Sequence, residues 1–224
     1  ILEHIKPELE KQGIKLEIVE FTDYVTPNLA LTSKDIDANF FQHVPYMETF
    51  ASERSLELEN AGNVHVEPLG LYSNKFTSLE DITEGAEIAI PNDPTNEGRT
   101  LLLLQSKGLI KLKDGVSLEA TSADIVENSK NLKFRPIEAA QLPRTLDDVD
   151  ASVINTNYAL EAGLNPVKDA IIIEGSDSPY ANIITIRPED REDENIKKLV
   201  NALQSESVRK FIEEKYEGSV VPAF

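Results

Sequence analysis

Apolar side chains recur along this chain in two rhythms. Ile1, Leu2, Ile5 and Leu9 follow helical spacing and the run stops at Gly13, which predicts an opening amphipathic helix. Ile196, Leu199, Val200 and Leu203, then Val208, Phe211 and Ile212, repeat that spacing and predict closing helices over 193–203 and 206–215. Between these ends, short β-branched runs bounded by Pro, Gly, Asn and Asp predict strands over 15–21, 64–72 (interrupted by Pro68), 88–90, 117–120, 132–138, 151–155, 171–174 and 180–187. Helical patterns fall at 29–33 (with Asn28 as its cap), 47–58, 122–127, 142–149 and 157–162, and a turn at 175–179. Strands alternating with helices predict an α/β class with a largely parallel sheet. Two such blocks joined by extended connectors near 71–76 and 176–184 predict two lobes, 1–76 with 178–224 and 77–177, with a cleft between them.

The stretch from Ile88 to Leu104 carries the densest chemistry. An apolar strand end, Ile88–Ile90, meets Pro91, Asn92, Asp93 and Pro94, which force a turn. Thr95 or Asn96 is expected to cap the next helix, with Glu97 in its first turn, an apolar face at Leu101–Leu104 and a stop at Gly108. Arg99 then stands beside free backbone N–H groups and a positive dipole end, an arrangement suited to a carboxylate or phosphate. An ordinary strand-to-helix connection with Arg99 facing solvent is the competing reading.

Charge narrows the classes. With 40 acidic and 22 basic residues the net charge is −18, the opposite of a nucleic-acid footprint and unsuited to adsorption on anionic membranes. There is no cysteine, so disulfides, thiol catalysis and Cys-ligated metals are excluded. His4, His43 and His65 lie far apart with no second ligand at metal spacing, and no phosphate-binding, nucleophile-elbow or zinc-protease signature occurs. Pairs such as Asp35/Asp37, Asp147/Asp148 and Glu213/Glu214 read as solvated surface. No metal, cofactor or catalytic residue is expected. Because the sequence opens inside a helix, we expect a preceding strand, and any targeting segment, to be missing from it.

Two sets of side chains remain. Asn92, Asn96, Arg99 and Asn155 lie at predicted strand ends and helix starts, where ligands bind in α/β sheets. The segment 35–46 groups Phe40, Phe41 and Tyr46, which suit a pocket wall, with Asn39, Gln42 and His43, which suit ligand orientation. Core packing for the two phenylalanines and a structural hydrogen bond for His43 are the plainer alternatives. Arg99 and Asn155 together suit the carboxylate and ammonium of an amino acid.

The segments Asp37-Ala-Asn-Phe-Phe-Gln-His-Val-Pro-Tyr46, Ala89-Ile-Pro-Asn-Asp-Pro-Thr-Asn96 with Gly98-Arg99, Gln141-Leu-Pro-Arg144 and Val153-Ile-Asn-Thr-Asn-Tyr-Ala159 resemble the methionine-binding lipoproteins of bacterial methionine ABC importers. The likeness covers essentially the whole chain. It implies a type II periplasmic-binding-protein fold, two lobes joined by strand crossovers, and a methionine held between them. It matches Arg99 to the residue that holds the ligand carboxylate and Asn155 to one contacting the ligand's amino-acid group, with Asn96 in the same cluster. Tyr24, Phe41, His43 and Tyr46 match positions near the side-chain pocket. The implied partners are methionine and the permease subunits of an importer, and the implied location is extracytoplasmic, tethered by a lipid anchor absent from this sequence. Alternatives are a methionine-containing dipeptide or another apolar amino acid as ligand, a surface lipoprotein with an adhesive role, and a small enzyme on the same fold with His43 as general base.

Overall fold

The computed structural model describes residues 1–175 and 178–224. The expected turn at 175–179 and connector at 176–184 include Ser176 and Asp177, which lie outside the described residues. In chain order the elements are α1 (Leu2–Lys11), α2 (Thr26–Thr32), β1 (Asn39–His43), α3 (Val44–Arg54), β2 (Glu59–Val66), β3 (Gly70–Tyr72), β4 (Glu87–Pro91), α4 (Pro94–Ser106), β5 (Lys111–Leu112), β6 (Ile125–Glu127), β7 (Lys133–Ile137), β8 (Ala151–Ile154), α5 (Thr156–Glu161), α6 (Pro166–Asp169), β9 (Ile172–Ile173), β10 (Ala181–Ile186), α7 (Glu194–Leu203), α8 (Glu206–Tyr216) and β11 (Val221–Pro222). They form two compact units, Ile1–Glu67 with Ser178–Phe224, and Pro68–Asp177.

The first unit is built on a four-stranded sheet in the order β1-β10-β2-β11, every neighbouring pair antiparallel. The helices around it follow their apolar spacing. α1 buries Ile5 and Leu9, and Gly13 at φ +80° supplies the left-handed turn that ends it. α7 starts where the Asp193 carboxylate accepts the N–H groups of Asn195 and Ile196, and α8 where the Ser205 hydroxyl accepts that of Val208. Their inner faces bury Ile196, Leu203, Val208 and Ile212.

The second unit holds a five-stranded sheet in the order β7-β4-β8-β3-β9 and a small hairpin of β5 with β6. β4 runs parallel to β7 and β8, whereas β3 is antiparallel to β8 and β9. Leu101, Leu103 and Leu104 of α4 pack onto Leu69, Leu71, Ile88, Ile90 and Val153 in one contiguous core. Burying a leucine or isoleucine side chain fully is worth about 1.5–3 kcal/mol, so this helix is anchored chiefly by that face.

Several sequence expectations change. The sheets are not largely parallel: among the described residues, parallel pairing is confined to β7, β4 and β8. Periodicity reports the order of elements, and a strand returning through a long connection enters a sheet from either end. Residues 15–21 run without ladder partners, and Val19 is 56% exposed. Residues 117–120 form no strand, and 122–127 forms a 3-10 turn at Ser122–Asp124 followed by β6. The helix expected at 142–149 is a 3-10 segment, Ala139–Thr145, with Pro143 inside it. Pro68 splits the expected strand 64–72 into the end of β2 and β3.

Candidate functional site

The second unit brings its polar residues together at the edge of the sheet where β4, β8 and β9 end and β3 begins. β4 stops at Pro91, and Asp93, not Thr95 or Asn96, caps α4: its carboxylate accepts the backbone N–H of Asn96 at 3.0 Å and the Thr95 hydroxyl at 3.1 Å. Gly98 is required two residues further on. A Cβ there would lie 2.1 Å from the Leu118 carbonyl oxygen, so the helix start sits flush against backbone.

This cap fixes the orientation of two amides. Asn96 Nδ2 donates to both Asp93 oxygens at 3.0 Å, because an ionised carboxylate only accepts. The Asn96 oxygen therefore faces the other way and accepts Asn155 Nδ2 at 3.1 Å. That bond turns Asn155 Oδ1 outward from the pair as a buried acceptor without a hydrogen-bond partner. Burial pushes the pKa of Asp93 up, against the hydrogen bonds from Asn96 and Thr95, which pull it down. Asn155 is the N-cap residue of α5 by position, but its side chain makes no cap hydrogen bond and is bonded to Asn96 instead.

Arg99, one turn after Asn96, is 4% exposed and does not face solvent. Its Nε lies 3.1 and 3.2 Å from the two carboxylate oxygens of Glu174, and its Nη2 also donates to Glu174 Oε2. Glu174 follows β9, its own N–H bonds to the Leu69 carbonyl at 2.9 Å, and its Oε2 accepts the Leu69 N–H at 3.3 Å. Thr156, next to Asn155, donates its hydroxyl to the Pro68 carbonyl. The contacts thus close a ring: Asn155 to Asn96, one helical turn to Arg99, across to Glu174, back through Leu69 and Pro68 to Thr156. Four separate chain segments meet in it.

The aromatic residues expected near a ligand side chain gather in the first unit. The Tyr24 ring lies 5.8 Å from Phe41 and 6.0 Å from Tyr46, and Phe41 and Tyr46 stand edge-on at 6.0 Å. Tyr46 donates its hydroxyl to the Tyr24 carbonyl at 2.8 Å, which ties the loop before α2 to α3. Phe40, on the opposite face of β1, meets His65 instead at 5.1 Å. His43 is the N-cap of α3: its Nδ1 accepts the Tyr46 N–H at 3.2 Å, so the neutral ring carries its proton on Nε2.

Three amides named as candidate ligand contacts or caps have a different task. Asn28 lies inside α2 rather than capping it, fully buried, and its side chain bonds to Gln42 and Asn39. Gln42 also reaches Asn39 Oδ1 and Thr185 Oγ1, both at 3.0 Å. This closed set pins α2 to β1 and β10. Asn92 and Arg144 are exposed.

Sequence reasoning missed Glu174 and the capping role of Asp93. The available cue for Glu174 was its place at the end of an apolar strand on the same edge as Asn155. Among the described residues there is no group of three His, Cys, Asp or Glu side chains able to hold a metal ion, and no helix long and apolar enough to cross a membrane.

The model of the NlpA lipoprotein family matches residues 1–224. The D-methionine-binding lipoprotein MetQ of Salmonella typhi is 51% identical over 214 residues, 95% of this chain and 79% of that protein. Its counterpart in Escherichia coli (strain K12) is 50% identical over the same shares of each chain. Among solved structures, a nutrient-binding protein from Burkholderia cenocepacia bound to methionine superposes with a TM-score of 0.96 at 50% identity, covering 100% of this chain and 94% of that one.

Proposed function

Because the chain belongs to the NlpA lipoprotein family, we propose that it is the extracytoplasmic methionine-binding component of an ABC importer, which captures the amino acid and delivers it to permease subunits without chemical change. One observation carries this reading. The polar ring of the second unit sets a buried guanidinium, Arg99, one helical turn from Asn96, whose side-chain oxygen holds Asn155 so that the buried Asn155 Oδ1 is left without a hydrogen-bond partner. These are the complements of a carboxylate and an ammonium on one carbon. Asn96 orients Asn155. Tyr24, Phe41, His43 and Tyr46 supply the surface for the ligand side chain, and a thioether gains about 0.3–1.5 kcal/mol from each such sulfur–ring contact. Delivery would pass the bound amino acid to the permease, and a lipid anchor would hold the protein at the membrane.

Thermal denaturation with a panel of free amino acids tests the proposal. L-Methionine at about 100 times its dissociation constant should stabilise the protein by roughly 2.7 kcal/mol. Glutamate and lysine should not, since an unpaired charge against aromatic rings is costly. Asn155→Ala should weaken methionine binding about tenfold or more, the cost of stranding a charged group. A panel in which glutamate or lysine raises the midpoint above methionine would end the proposal.

A further inference from the structure

Arg99 does not enter its site as a lone cation. Glu174 engages its Nε and Nη2, is itself only 13% exposed at the side chain, and is fixed by the Leu69 N–H. The local charge of this pair is therefore balanced before any ligand arrives. In a buried setting that balance decides what can be added: each uncompensated charge costs several kcal/mol, whereas a species with no net charge costs far less. An α-amino acid zwitterion brings one charge of each sign. A carboxylate without an ammonium brings a net negative charge next to Glu174.

We propose that Glu174 is a specificity residue that makes the α-ammonium of the ligand obligatory, by setting a fixed negative charge beside the arginine that takes the carboxylate. The assignment rests on the amino-acid-binding reading above. It differs from a hydrogen-bond requirement in a way that can be measured. The α-hydroxy acid with the methionine side chain, 2-hydroxy-4-(methylthio)butanoate, keeps the carboxylate, the thioether and an O–H donor for Asn155 Oδ1. It lacks only the positive charge.

Calorimetric titration of the parent and of Glu174→Gln with L-methionine and with this hydroxy acid decides the matter. The parent should prefer methionine by about a hundredfold or more, the scale set by one uncompensated buried charge. In Glu174→Gln the ratio should fall by at least about tenfold, with the hydroxy acid bound more tightly than by the parent, because the arginine charge is then unbalanced. Glu174→Asp, which keeps the charge, should retain the preference. A hydroxy acid bound by the parent within about tenfold of methionine overturns the assignment without need of a variant. So does an unchanged ratio in a folded Glu174→Gln protein. If the parent binds methionine and discriminates, but Glu174→Gln leaves the ratio intact, only the role of Glu174 fails. If the parent binds neither compound, the methionine reading fails and takes this assignment with it.

Discussion

The aromatic group of the first unit and the polar ring of the second are assembled in opposite ways. Tyr24, Phe41, His43 and Tyr46 come from 23 consecutive positions and are held by one strand, the helix it feeds and the loop before α2. Their contacts include ring packing, a helix cap and the hydrogen bond from the Tyr46 hydroxyl to the Tyr24 carbonyl. The ring of Asp93, Asn96, Arg99, Asn155 and Glu174 joins residues from separate segments, with a contact across 75 positions between Arg99 and Glu174, and in it Asp93 orients Asn96 and Asn96 orients Asn155. A local aromatic surface tolerates substitution. A closed polar circuit in a buried setting does not, because the group left behind is stranded without water.

That contrast can be tested from its strongest consequence downward. Arg99→Ala should act on stability and on binding together. It leaves Glu174 buried and unpaired, at a cost of about 3–5 kcal/mol, and removes the proposed partner of the ligand carboxylate, so methionine affinity should fall by about a hundredfold. Urea titration with calorimetry on the same samples reads both. A variant as stable as the parent would mean that Glu174 relaxes to solvent and that the ring is not closed. Asn28→Ala probes the first unit's own buried amide set. It removes the donor to Gln42 Oε1 and the acceptor shared by Gln42 and Asn39, and should cost about 1–3 kcal/mol while leaving affinity unchanged. Loss of affinity with stability intact would move those amides back into the binding site.

The finest test separates the two functions inside the ring. Burial raises the pKa of Asp93, so the folded state disfavours its ionised form. The contribution of this group to stability is full below the ordinary carboxylate value and is lost as pH rises through the raised one. Asp93→Asn keeps a competent helix cap without the charge. It should therefore match or exceed the parent's thermal midpoint at neutral pH, with the difference shrinking in acid. Methionine binding should nonetheless weaken by about tenfold, since an amide at position 93 no longer dictates which way Asn96 and Asn155 point. Equal affinity across pH would show that Asn155 keeps its orientation without the carboxylate.

How legible each part was in the sequence follows the same contrast. The spacing of Ile5 and Leu9 in α1, and of Ile196, Leu203, Val208 and Ile212 in α7 and α8, specifies those helices because a helix is closed within itself. The segment 15–21 has a strand's composition but no partner, and a strand is defined by its partner. Arg99, Asn96 and Asn155 stand out because Pro, Asn and Thr mark the ends of β4 and β8 locally. Glu174 does not stand out. It is one of 40 acidic residues, and only the pairing of β3 between β8 and β9 brings it to Arg99. Asn28 and Gln42 look equally free in sequence; that they satisfy one another appears only once α2, β1 and β10 are packed together.

The place of β10 has a consequence for how the chain reaches its folded form. β1 and β2 do not pair with each other; residues 181–186 lie between them in the sheet. During synthesis these two strands are therefore released before β10, their shared partner among the described residues, which follows only after more than a hundred further residues, about a whole domain's worth. Among the described residues, the strands of the stretch 68–175 have their partners within it, so it can close first. Residues 39–66 are thus completed only after the stretch that follows them, and during that interval their unpaired edges are the surface on which a holding chaperone, or aggregation, would act.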